Sequence, residues 1–190
     1  MSEPRTYAME PFFHSDPGMM VAHIPQAVRL GMQVVSIGPC RGTVRVPWND
    51  ELVGDPRRGV VFGGVITTLL DQASGIAVQC SLPEFRTIAT LDLRVDYLRA
   101  AAPGHDLTAM AECYRLTSNV AFVRGSAWDA DPGDPFAHMV ATFMIVGPVH
   151  PGSWQVQMQK GWRGAAAADA PAPVATDALP GDADAGRGKA

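Results

Sequence analysis

The chain has 190 residues, 47% of them hydrophobic and 18% charged, with a formal charge of −4. That describes one globular domain with a proper core, and it argues against a general nucleic-acid surface. No apolar run reaches the length of a membrane span, and the opening MSEPRTYAMEPFF lacks the basic start and apolar stretch of a secretion signal, so a cytoplasmic protein is expected. Cys40, Cys80 and Cys113 are odd in number and far apart, which suggests reduced core thiols rather than a disulfide framework or zinc knuckle.

The first twenty or so residues read as a lead-in arm. Met20 to Leu30 follows as a short helix broken by Pro25, and GMQVVSIGPCRGTVRVPW reads as a hairpin, two β-branched runs about a Gly-Pro-rich turn. Residues 50–59, with Gly54 and Pro56, are expected to be a loop. A helix from Gly63 to about Gln79 comes next, in GVVFGGVITTLLDQASG and the residues after it. Val65, Ile66, Leu69, Leu70, Ala73, Ile76 and Ala77 cover most of its circumference, so it is expected to be buried nearly all round. Thr67, Asp71 and Ser74 make one polar stripe, and Thr68 and Gln72 a second beside it.

Four strand candidates follow. In TLDLRVDYL, period two puts Leu91, Leu93, Val95 and Tyr97 on one dry face, with Asp92, Arg94 and Asp96 opposite. DLTAMAECYRL, NVAFVRGSAWDA and PFAHMVATFMIVG complete what reads as a meander of sequential neighbours, with the 31–48 hairpin finishing the sheet. The fold class is therefore α+β, one long central helix wrapped by a curved antiparallel sheet. Residues 1–150 form that domain. The remainder, 151–190, is a tail rich in alanine, proline, glycine and aspartate that is expected to be mostly disordered.

Gly63 and Gly64 open the helix, where backbone N–H groups lack intrahelical partners and the dipole favours negative charge. Asp71 is two turns on. Together these are half of an acyl-transfer site, an oxyanion hole and a general base or nucleophile. The alternative is a glycine pair needed for packing and a carboxylate that caps or bridges a strand, and the pattern alone leaves both open. The five histidines show no metal spacing, no metal site or cofactor is suggested, and no G-x-S-x-G elbow occurs.

GDPRRGVVFGGVITTLLDQASGIAV, TLDLRVDYLRAAAPG and NVAFVRGSAWDADPGDPFAHMVATFM, in that order, resemble the hotdog-fold acyl-CoA thioesterases of the PaaI (phenylacetyl-CoA thioesterase) type, over residues 24–146. The resemblance implies hydrolysis of an acyl- or aryl-acyl-CoA between two subunits of a homodimer or homotetramer. It implies Asp71 as catalytic carboxylate, Gly63 as the N–H that polarises the thioester carbonyl, and Thr90 as a hydroxyl reaching the reacting centre from the partner subunit. Phe62, Gly64, Thr67, Arg99 and Asn119 are the implied substrate-binding residues. Arg57, Arg58, Arg94 and Arg99 lie near the site in sequence, where CoA phosphates would need a basic patch; an ordinary solvated surface is the alternative, and the better reading of any one of them singly. Two positions depart from the family: Phe62 stands where relatives carry His, and Pro56 where many carry Asn. Phe62 would make a drier pocket floor, with Leu69, Met110 and the 119–128 strand setting pocket depth. A non-catalytic acyl-CoA or small-ligand binding protein of the same fold is the alternative function.

Overall fold

The computed structural model describes Tyr7 and residues 18–22 and 24–148. The expected lead-in arm lies mostly outside these residues, as does the 151–190 tail. The described part begins with helices α1 (Met19–Ala22) and α2 (Pro25–Arg29), separated by the expected break, with Pro25 seated in the first turn of α2. Proline is tolerated there because its missing N–H would have had no acceptor.

Strands β1 (Gln33–Gly38) and β2 (Arg41–Val46) form the expected hairpin, turning through Pro39 and Cys40. A 3₁₀ turn (Asp50–Leu52) and a small ribbon of β3 (Val53–Asp55) and β4 (Val60–Val61) occupy the segment expected to be loop. Helix α3 (Gly63–Gln79) spans the expected residues. It is followed by β5 (Arg86–Tyr97), β6 (Leu107–Leu116), β7 (Val120–Trp128) and β8 (Ala137–Pro148).

All strands but β3 and β4 form one antiparallel sheet in the order β1-β2-β6-β7-β8-β5. This corrects the expected order. β6, β7 and β8 are a meander, but β5 is not beside β6; it pairs with β8 at the far edge. Leaving α3 at Cys80, the chain enters on the side away from β2, and Ala100 to Asp106 carry it back to β6.

Helix α3 packs against β2, β5, β6, β7 and β8. Its closest approach is at Gly42, where an added Cβ would lie 2.5 Å from Ile76 Cγ2. The core lies between helix and sheet: Leu69, Leu70, Ala73 and Ala77 from α3 meet Val44, Ala109, Ala111, Val123 and Phe143. The helix is not buried all round, however. Gly63, Gly64, Thr67, Thr68, Asp71, Gln72, Gly75 and Gln79 form a half-exposed stripe at helical spacing. Ser74 leaves that stripe; it is fully buried and donates to Leu70 O at 2.7 Å, so its hydroxyl is satisfied by its own helix.

Strand β5 changes phase midway. Thr90 is paired with the buried Phe143 and Asp92 with Thr142, which leaves Leu91 as an extra residue in a β-bulge. Ile88 and Thr90 face the helix before the bulge, and Leu93 and Val95 after it. The single dry face expected for Leu91 to Tyr97 is therefore wrong at both ends, since Leu91 and Tyr97 are more than half exposed.

Candidate active site

At its N-terminus α3 has Phe62 as N-cap, with no side-chain hydrogen bond to the first turn. The N–H groups of Gly63 and Gly64 thus point out of the helix without a capping acceptor. The carbonyl side of that turn is well occupied. Thr67 Oγ1 donates to Gly63 O at 3.1 Å and Thr68 Oγ1 to Gly64 O at 2.7 Å. Tyr97 OH also donates to Gly63 O at 3.1 Å and lies 3.2 Å from Thr67 Oγ1. Hydrogen bonds onto the Gly63 carbonyl polarise the peptide unit whose N–H belongs to Gly64, making it a better donor.

Phe62 is 62% exposed in the single chain and does not line the pocket beside Asp71 described below. Its ring folds back over the first turn, between Gly54 and Gly64. A Cβ on Gly64 would overlap the ring, and one on Gly54 would lie 2.9 Å from Phe62 Cα. Two glycines make room for one large side chain.

Asp71 is half-buried in the middle of α3, and Thr90 Oγ1 donates to its Oδ1 at 2.9 Å. Both residues belong to one chain. Thr90 therefore orients the carboxylate of its own chain. The bulge at Leu91 is what makes this possible, because unbroken alternation from Leu93 and Val95 would turn Thr90 to the outer face.

Beside this pair is a pocket of about 340 Å³. Ile76, Ile88 and Phe143 supply its apolar wall, with Met20 and Ile24 from the N-terminal helical segment. Gly75 lies on the pocket side of α3, and a Cβ there would stand 3.8 Å from Ile88 Cδ1, narrowing the space. The residues expected to set pocket depth lie elsewhere. Leu69 is wholly in the core, and Met110 faces a separate depression on the opposite side of the sheet with Glu112 and Arg124.

Gly63 and Asp71 are eight residues apart on one helix. At 1.5 Å per residue that is about 12 Å along the axis, a long reach for two groups of one chain acting on one carbonyl, even with a water between the base and the carbon.

The thioesterase superfamily profile matches residues 58–136, from the loop before α3 to the start of β8. The chain is 30% identical over 142 residues to the medium/long-chain acyl-CoA thioesterase YigI of Salmonella typhimurium, covering 67% of this chain and 89% of that protein. This chain belongs to the thioesterase superfamily. It is also 38% identical over 94 residues to a candidate esterase of Halobacterium salinarum, in an alignment covering 48% of this chain and 61% of that relative. Among solved structures, a Pseudomonas aeruginosa protein superposes with TM-score 0.62 and 43% identity, over 68% of this chain and 96% of its own. The E. coli PaaI protein shares the fold at TM-score 0.59 and 17% identity, over 65% of this chain and 86% of its own. The expected hotdog fold is the one observed.

Within this superfamily member the other expected binding residues divide. Thr67 is at the helix start with Gly63 and Gly64. Asn119 is in the β6–β7 turn, where its carbonyl accepts from Ile145 N at 2.8 Å; Ile145 pairs with Ile88 of the pocket wall. Arg99 is held in ion pairs. Its two terminal nitrogens each donate to Asp129 at 2.8 Å, and Nε lies 3.2 Å from Asp134 Oδ2. Asp129 also accepts from Ala102 N and Ala130 N, and its carboxyl is held well below the usual carboxylate range, chiefly by Arg99. Arg99 is thus a clamp on the end of β5, its nitrogens engaged by Asp129 and Asp134. Arg58 and Arg94 likewise face Asp55 and Asp96. Tyr97 is the site residue that sequence reasoning missed. Read as one more apolar position, it carries a hydroxyl at the end of the strand that also presents Thr90.

No helix among the described residues is long and apolar enough to cross a membrane, and no group of side chains among them could hold a metal ion.

Proposed function

We propose that this chain hydrolyses the thioester of an acyl-CoA at a site completed by a second copy of itself. The observation that carries this reading is the Asp71–Thr90 pair at the apolar pocket, about 12 Å along the axis from the N–H groups that open the same helix. An apolar acyl chain suits the pocket wall, and the likeness to YigI, a medium/long-chain acyl-CoA thioesterase, supports that substrate class.

In this reading the second copy brings its Gly63 and Gly64 N–H groups to the carbonyl oxygen of a thioester bound beside Asp71. Thr90 holds Oδ1, leaving Oδ2 to take a proton from water. The hydroxide attacks the carbonyl carbon, and the oxyanion is stabilised by N–H groups that need not reorganise. The C–S bond then breaks, and the departing thiolate takes the proton from Asp71, leaving free acid and CoA.

The test is thiol release from a panel of acyl-CoA chain lengths. Asp71→Asn keeps the shape but cannot take a proton, so turnover should fall by roughly 10²–10⁴ with substrate affinity little changed. Wild-type protein that binds acyl-CoA yet releases no thiol at any chain length would leave the non-catalytic binding protein as the function.

A further inference from the structure

Cys40, Cys80 and Cys113 are distant in sequence, but the fold brings them together at the end of α3 opposite the Gly63 turn. Cys40 is in the β1–β2 turn, Cys80 caps α3, and Cys113 is on β6. Cys40 N donates to Cys80 O at 3.2 Å, and Cys113 N donates to Cys40 O at 2.9 Å. The β2–β6 register ends at Arg41 with Glu112, and the bond from Cys113 N to Cys40 O lies one residue beyond it. One of the two bonds of an opposed antiparallel pair is thus present, and such pairs have Cα atoms roughly 4.5–5.5 Å apart. That falls inside the span of roughly 4.4–6.8 Å that a disulfide bridges.

Cys40 is unusual on a second count. Among the described residues it is the non-glycine residue with positive φ, at 60°. A turn with proline first and a left-handed second residue ordinarily takes glycine or asparagine at that second place. A cysteine holds it here, packed against the core and only partly buried, while Cys80 and Cys113 are buried.

We propose that Cys40 is a thiol-oxidation site, and that with Cys113 it closes to an intramolecular disulfide on reaction with a hydroperoxide. The Cys40 thiolate attacks the peroxide, forming an S–O bond as the O–O bond breaks and an alcohol or water leaves. Cys113, as thiolate, then attacks the Cys40 sulfur; the S–S bond forms, the S–O bond breaks, and a second water departs. Two thiols are oxidised and one peroxide is reduced.

Access assigns the first step to Cys40. The bond from Cys113 N to Cys40 O, the shorter of the two that Cys40 makes to a cysteine, assigns the second to Cys113. Burial pushes the Cys80 thiol up to about 12, so it supplies very little thiolate near neutral pH. Burial also raises Cys113. The proposal is independent of what the other end of α3 catalyses.

The full-length protein is treated with hydrogen peroxide, its free thiols are counted, and its peptides are mapped without reduction. The thiol count should fall from three to one, with the Cys40 and Cys113 peptides linked within one chain and all three thiols restored by a thiol reductant. Cys80→Ser should behave as wild type. Cys40→Ser should lose no thiol, and Cys113→Ala should leave a Cys40 sulfenic acid that dimedone captures. Three thiols surviving peroxide, a Cys40–Cys80 link, or a link between chains would each overturn the proposal.

Discussion

Thr90 gives Asp71 its sole side-chain donor among the described residues, so its removal isolates what orientation of the carboxylate contributes. Thr90→Val keeps the β-branched shape and deletes the hydroxyl. A hydrogen bond to a charged group contributes about 1.5–3 kcal/mol; if it orients Asp71 for the reaction, kcat for thiol release should fall about ten- to a hundredfold, with a lower melting temperature as well. An unchanged kcat would remove Thr90 from the machinery. At this scale the sequence was uneven as a guide. Asp71 was legible because a carboxylate inside an apolar helix calls for an explanation. Tyr97 was not, because an aromatic residue at an alternating strand position looks the same whether its ring is buried or its hydroxyl is on a helix end. The clamp at Arg99 was not legible, because charge in a sequence does not show its partner, and Asp129 is thirty residues away.

Two contacts hold elements in place. Gly42 lets α3 lie close on β2, and Gly42→Ala would press a methyl group onto Ile76 and the Ala73 carbonyl. Overpacking of this kind costs roughly 1–3 kcal/mol, to be seen as a lower urea midpoint with an unchanged m-value. The Arg99–Asp129 clamp ties the end of β5 to the segment between β7 and β8. The folded-state value of Asp129 is depressed, so its stabilisation is fully present above the ordinary carboxyl range near 4 and is lost as pH falls below that range. The melting-temperature gap between wild type and Asp129→Asn should therefore be widest near neutrality and narrow below about pH 4. A gap that does not change with pH would show that the ion pair contributes nothing. The span of α3 and the β1–β2 hairpin were legible from local pattern. The position of β5 was not: its partner is β8, forty residues on, and neither strand's composition encodes which edge it joins.

For the whole molecule, β5 is an open edge of the sheet, and it carries both Thr90 and Tyr97. Unpaired edges of this length invite pairing with another chain. The proposed shared site makes a specific prediction about mixing. Gly63→Pro deletes the N–H at the first helical position, where proline is tolerated, and Phe62 before it already has extended backbone (φ −63°, ψ 126°). Gly63→Pro and Asp71→Asn proteins should each be nearly inactive alone. Co-refolded, they should recover substantial activity, because a mixed pair contains one site with both an intact carboxylate and intact N–H groups. No recovery in mixed pairs confirmed by mass spectrometry would mean that each chain uses its own helix start.

The bulge at Leu91 also governs how this chain tolerates changes in length. It is the place in β5 where a residue can be lost without exchanging the faces of the strand. Omitting Leu91 leaves Thr90 opposite Phe143 and Asp92 opposite Thr142, still in regular alternation. A deletion well away from it, at Val95 for instance, would turn one half of the strand inside out. The shortened ΔLeu91 protein should therefore fold and keep the Thr90–Asp71 bond, measurable as retained thiol release and a melting temperature near that of the parent. A gap drawn elsewhere in β5, when this chain is matched to a strand without a bulge, would assign the hydroxyl that holds Asp71 to the solvent side.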